Sequence, residues 1–257
     1  MREILSGFLS NDSKFGRLMT RLGIIIGANL MFVLFSLPVV TTGAAFTALY
    51  HVMFKTLRGS GVLNAFRAFW DGFRSNFKQA TIVWLLAMGF AVLAWADIRF
   101  MLHTEGAVAF FRYGVYAACV IAALLLLYYF PTLAAFDTTI PGLIRNSFFF
   151  LLKKPWKALV ILFFDVFPLY LTYSDPQMGP LYAFIWFFFG FGAITMIGAA
   201  LLLPEFQPYL DQVDAEGDFI LDKNGARVRA GAGVSFDRGA PVKTEQEILD
   251  EMKKLGM

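Results

Sequence analysis

An all-α, polytopic membrane bundle is the fold class this sequence predicts, and three observations predict it. Apolar residues make up 58% of the 257 positions, charged residues only 16%, and Phe alone occurs 30 times; soluble domains run at about 45–50% and about 25%. The mean hydropathy is +0.62. Several apolar stretches reach the roughly 20 residues that cross hydrocarbon as a helix. A water-soluble globule of this length leaves too much surface wet to hide that much apolar side chain. Disorder is excluded by the same hydrophobicity. A disulfide framework is excluded because Cys119 is the single cysteine.

The spans follow from the apolar runs. Residues 79–96, 113–130 and 180–203 qualify directly, and 155–173 qualifies although Asp165 and Pro168 interrupt it. Residues 22–54 are too long for one upright helix and contain Leu37-Pro38-Val39-Val40-Thr41-Thr42-Gly43. Proline breaks the hydrogen-bond ladder, and Thr-Thr-Gly supplies turn chemistry. Two readings compete there: one long kinked helix, or a hairpin of short helices near 22–37 and 44–57. The distribution of Lys and Arg selects the hairpin. With it, thirteen basic residues fall on one side of the membrane and two, Arg99 and Arg112, on the other; a single helix gives nine against six. The expectation is five to six membrane segments, the first two short and Pro-broken, with both termini cytoplasmic. A helix of about 15 residues spans only about 22 Å, so the first pair must tilt, thin the bilayer or enter without crossing fully.

Residues 1–204 are read as the transmembrane helical domain, with net charge +7, and 205–257 as a soluble acidic tail, with net charge −4. In the tail, Asn224-Gly225 marks a β-hairpin and Thr244-x-x-Glu247 a capping box that opens a short helix. Residues 62–77 place Phe69, Trp70, Phe73 and Phe77 at helical spacing opposite Arg67, Asp71 and Arg74. That is an amphipathic helix for the headgroup boundary, with those four aromatics as interfacial anchors and Trp156 as another. Residues 143–154 form a similar, more apolar segment.

The polar groups inside apolar stretches are the candidate site. Asp165 lies near the middle of its span, where a carboxylate costs about 2.5–3.5 kcal/mol on insertion scales. It is read either as a proton- or substrate-binding group or as an anchor bonded to a neighbouring helix. Asn29 is placed to bond across to another helix. Thr41 and Thr42 are expected to cap the hairpin, and Asp137 the segment that follows it. His51 stands alone, without a second ligand at metal spacing. No phosphate loop, dinucleotide fingerprint, zinc-protease, nucleophile-elbow or CxxC motif occurs, and the acidic run from Asp211 to Asp218 lacks the EF-hand spacing. The expectation is a chain with no catalytic set, no metal and no cofactor. Its basic residues are spread over loops, which argues against nucleic-acid binding. Small-residue surfaces at Gly43, Ala44 and Ala45 and at Gly190, Gly192 and Gly198 are read as docking faces for partner helices.

Leu37-Pro-Val-Val-Thr-Thr-Gly-Ala-Ala-Phe-Thr-Ala-Leu49, followed by the aromatic amphipathic helix and by Phe77-Lys-Gln-Ala-Thr81, resembles the YesL-like family of bacterial integral membrane proteins. The resemblance covers roughly residues 5–205. It implies a companion of carbohydrate uptake or sensing in the cytoplasmic membrane, with the lipid bilayer, the membrane subunits of a sugar importer or sensor, and a second copy of the chain as the partners to expect. It names no catalytic or ligand residue. The other reading is a small-solute transporter or channel, saccharide-carrying or proton-coupled, with Asp165 in its path.

Overall fold

The computed structural model describes residues 14–58, 64–102, 107–136 and 138–210, together with the paired strands 219–221 and 227–229. The described residues are helical almost throughout. Five stretches among the described residues are long and apolar enough to cross a membrane: Leu18–Ser36, Ala65–Met101, Phe110–Ala135, Pro155–Ser174 and Pro176–Tyr209. Asp137, the acidic residues 211–218 and the Thr244–Glu247 box lie outside the described residues.

Of the two readings of residues 22–54, the hairpin is the one found. Helix α1 (Lys14–Ser36) ends before Pro38, a single 3₁₀ turn follows over Val39–Thr41, and α2 (Thr42–Leu57) runs back. The Thr41 hydroxyl bonds backwards, to the Phe35 carbonyl at 2.5 Å and the Pro38 carbonyl at 2.8 Å. The single hydroxyl proton is shared between them; the Phe35 carbonyl is one that the end of α1 leaves open, and the Pro38 carbonyl also accepts from the Thr41 N–H at 2.9 Å. Thr42 is simply the first residue of α2. α1 is longer than its sequence reading, at 23 residues or about 34 Å.

α2 differs most from expectation. It is not a lipid-facing span. Its residues are buried from Gly43 to Phe54 with the sole exception of Phe46, and α1, α3, α4 and α8 all pack on it. A helix that is apolar on every side belongs in a core. Its hydroxyls follow suit: Thr47 and Thr56 bond back to the Gly43 and Val52 carbonyls at 3.0 and 2.8 Å.

α3 (Ala65–Leu102) is one continuous rod of 38 residues, about 57 Å long. Asn64 opens it, its side-chain oxygen accepting from the Arg67 N–H at 3.1 Å. The amphipathic segment is therefore the first part of a span, not a separate surface helix. Its two faces divide the expected anchors. Phe69 and Phe73 are buried, packed with Phe35 of α1 at centroid distances of 5.9 and 4.9 Å. Trp70 and Phe77 stay exposed, as does Trp156 farther along the chain. The i, i+4 spacing that suggested a headgroup face instead supplies the contact with α1 and α2.

The remaining helices are α4 (Ala107–Ala135), α5 (Ile140–Lys153), α6 (Pro155–Ser174), α7 (Gly179–Ile185) and α8 (Phe191–Phe206), with a π-helical turn at Trp186–Gly190 joining the last two. α8 runs past Pro204, and the helical body continues through Leu210, which is buried. The first residues assigned to the soluble tail thus belong to the bundle. In the tail, strands β1 (Phe219–Leu221) and β2 (Arg227–Arg229) pair antiparallel, Ile220 opposite Val228; Asn224-Gly225 lies outside the described residues.

Glycines set how closely helices approach α2. A Cβ on Gly43 would lie 2.6 Å from Trp84 Cβ, on Gly72 2.9 Å from His51 Cβ, and on Gly198 2.6 Å from the Tyr50 hydroxyl. Gly192 of α8 sits equally close to Ile25 of α1, at 3.0 Å. The small-residue faces read as partner-docking surfaces are therefore consumed in the chain's own packing. Substituting Gly72→Ala is expected to lower stability by about 1–3 kcal/mol through overpacking, read as a lower thermal midpoint in detergent. Gly89→Ala, where a Cβ meets nothing within 4 Å, is expected to leave the midpoint unchanged or raise it slightly.

The hairpin stops part-way along α3. The Trp84 indole donates to the Val39 carbonyl at 2.7 Å, which sets the hairpin tip level with Trp84. From there α3 continues to Leu102, about 27 Å farther. The tip residues Leu37, Val39 and Val40 are exposed and apolar, a surface suited to hydrocarbon. In a Cys119→Ser background, Val39→Cys is expected to resist a membrane-impermeant maleimide added from either side, whereas Asp97→Cys reacts from one side. Impermeant labelling at position 39 equal to that at 97 would contradict this depth.

Candidate functional site

The polar groups singled out from the sequence are not gathered in one place. Asn29, Thr41 and His51 serve different junctions between helices, whereas Thr42 and Asp165 make no side-chain bond among the described residues.

Asn29, on α1 and fully buried, faces the π-turn. Widening from the α to the π pattern disturbs the helical ladder at that point. Asn29 meets the turn with every polar atom it has: Nδ2 donates to the Trp186 carbonyl at 3.0 Å and the Phe187 carbonyl at 2.7 Å, and Oδ1 accepts from the Gly192 N–H at 2.8 Å. From the other side, the Trp186 indole donates to the Thr172 hydroxyl of α6 at 2.9 Å, and that hydroxyl donates to the Pro168 carbonyl at 2.8 Å. The break in α7–α8 is thus stitched to α1 and α6. Sequence places Asn29 at a helix–helix bond, and that is its position; the π-turn itself has no signal in Trp-Phe-Phe-Phe-Gly beyond the terminal glycine.

His51 is buried on α2 against the bare backbone of Gly72 of α3. Asp165 is half-buried on the α6 face that also carries the buried Ala158 and Ile161, and it makes no hydrogen bond or ion pair among the described residues.

A buried charge cluster is the feature that sequence reasoning missed. Glu205, placed from composition in the soluble tail, is buried at the end of α8. Lys157 Nζ lies 2.7 Å and Lys154 Nζ 2.8 Å from its carboxylate, and Lys153 Nζ lies at 4.0 Å. Lys157 is itself buried and donates to the Leu201 carbonyl at 2.7 Å. A carboxylate in low dielectric is tolerable only when closely paired, and here two ammonium groups hold it. The available signal was the pairing of Lys153-Lys154-x-x-Lys157 with an acidic residue directly after Pro204. Among the described residues no group of three or more His, Cys, Asp or Glu is assembled in a way that would hold a metal ion.

The five apolar spans define a multi-pass helical membrane protein. Residues 25–98 match the family model described as "Protein of unknown function, DUF624". The match runs from α1 through the hairpin and α2 to near the end of α3, and it is to a family that includes the YesL-like proteins which the hairpin sequence resembles. No curated protein and no solved structure matches the chain.

Breaking the charge cluster from one side is expected to be costly. Lys157→Met leaves Glu205 with one close partner, and the expected loss is about 3 kcal/mol, measured by thermal unfolding in detergent. The double variant Lys157→Met with Glu205→Leu is expected to recover most of it, since an apolar pair replaces a buried ionic one.

Proposed function

We propose that this chain is a non-catalytic, multi-pass accessory subunit of the bacterial cytoplasmic membrane, both termini cytoplasmic, which packs against the membrane subunits of a sugar importer or sensor. The observation that carries the reading is how the two kinds of surface are distributed. Asn29, His51, Thr41, Lys157 and Glu205 are committed to helix junctions inside the chain. The outward surface is apolar: Leu86, Leu93 and Trp95 on α3, Phe110 and Phe111 on α4, and Leu159, Phe163 and Tyr170 on α6 are all exposed. On these outer helices a Cβ added at Gly89 or Gly114 would meet nothing within 4 Å, which leaves room for a partner helix to approach closely. The resemblance of the hairpin to the YesL-like family supplies the link to saccharide utilisation.

Asp165 favours a second reading. An intramembrane carboxylate without a bond partner is costly, and such groups often lie on solute or proton paths. Under that reading the chain moves a small saccharide or a proton past α6. The two readings separate in one experiment. Liposomes holding the purified protein are expected to remain impermeable to labelled saccharides and to protons. Photo-crosslinkers at positions 89 and 114, introduced in cells, are expected to capture an importer's membrane subunit. Flux that disappears with Asp165→Asn would establish the transport reading and overturn the accessory one.

A further inference from the structure

We propose that the junction between α5 and α6 is a binding site for the phosphate of an anionic phospholipid, with Lys153 and Lys154 as its cationic groups. Three lysines converge on one carboxylate, so Lys153, Lys154, Lys157 and Glu205 together carry a net charge of +2. The compensation is unequal. Lys157 and Glu205 are interior, with side chains 9% and 4% exposed, and pair at 2.7 Å, while Lys154 reaches the same carboxylate oxygen from the surface at 2.8 Å and is fixed by it. Lys153 and Lys154 are 34% and 48% exposed and carry the surplus at the surface. Lys153 lies 4.0 Å from Glu205 and is held instead over the Tyr209 ring, 4.9 Å from its centroid, and 3.4 Å from its hydroxyl. Both ammonium groups are therefore positioned by the fold and not free to wander.

The surroundings decide what kind of anion fits. Trp156, next in the chain after Pro155, is exposed, as are Leu152 and Leu159 on either side of the junction. An indole between lysines and an apolar collar is the arrangement of a membrane–water boundary. A soluble phosphate arriving there satisfies the lysines and leaves the collar bare. A phospholipid satisfies both, its phosphate on Lys153 and Lys154 and its acyl chains along Leu159 and the exposed face of α6. Basic groups at this level gain affinity for anionic headgroups with each added charge.

The test uses the full-length chain in detergent micelles doped with equal amounts of phosphatidylglycerol and phosphatidylcholine, with retained lipid counted by native mass spectrometry. The wild-type chain is expected to retain phosphatidylglycerol preferentially. Lys153→Gln is expected to reduce that preference about fivefold, and Lys153→Gln with Lys154→Gln to bring it near parity, at about fivefold per surface charge. Lys153→Gln keeps both close contacts of Glu205, so it remains informative should the double variant unfold; Lys153→Arg is expected to restore retention. An excess of glycerol phosphate is expected not to displace the lipid. Four results would overturn the proposal. They are equal retention of the two lipids by the wild-type chain, an unchanged preference in Lys153→Gln, displacement by glycerol phosphate, and a preference that emerges only in Asp211→Asn with Asp214→Asn. The last would mean that the chain's own acidic segment fills the site.

Discussion

The bond set of Asn29 is the constraint around which the rest of the bundle is arranged. An apolar solvent offers no hydrogen bonds, so every irregularity in a membrane helix has to be satisfied by protein. The π-turn at Trp186–Gly190 is such an irregularity, and one amide on α1 answers it with two donated bonds and one accepted bond. That requirement fixes the depth of α1 relative to α7–α8. It also explains why Gly192 must be a glycine-sized residue: its backbone donates to Asn29 while a Cβ there would press on the Ile25 carbonyl at 3.0 Å. The polar bond and the close packing are one contact.

Around that contact the chain organises itself on α2. The helix is too short for a span and too apolar for a surface, and it is accommodated by being surrounded. Phe46 and Tyr50 sit edge to face at 5.3 Å, and Phe54 meets Phe206 at 5.7 Å. At the far end of α8, Phe136, Phe150 and Phe206 form a knot with centroid distances of 4.7–5.7 Å. Each such pair adds roughly 0.5–1.5 kcal/mol beyond its buried area. The abundance of Phe thus serves two ends, an interior packed ring on ring and an exterior that faces lipid.

How much of this is legible in the sequence follows from the kind of signal each feature leaves. The hairpin is legible because Pro38 is a covalent restriction and because Lys and Arg are counted by the membrane. Asn29 is legible because a lone amide in an apolar run needs a partner. Phe69 and Phe73 are not legible as core: the same amphipathic periodicity describes a helix lying on a headgroup layer and one leaning on its own neighbours, and only the partners, Phe35 among them, distinguish the two. The small-residue faces fail for a related reason, since glycine permits close approach without naming what approaches. Glu205 is hidden by averaging. Composition over residues 205–257 is acidic, and one carboxylate at the start of that window belongs to the three lysines fifty residues earlier.

The bond between the Trp84 indole and Val39 has a consequence for the bilayer itself. Near one membrane face the section through the molecule includes α1, α2 and the start of α3, whereas beyond the hairpin tip α3 goes on toward Leu102 without them. The protein therefore tapers. Such a taper displaces more lipid area from one leaflet than from the other, and the two monolayers accommodate the difference by bending toward the narrower side.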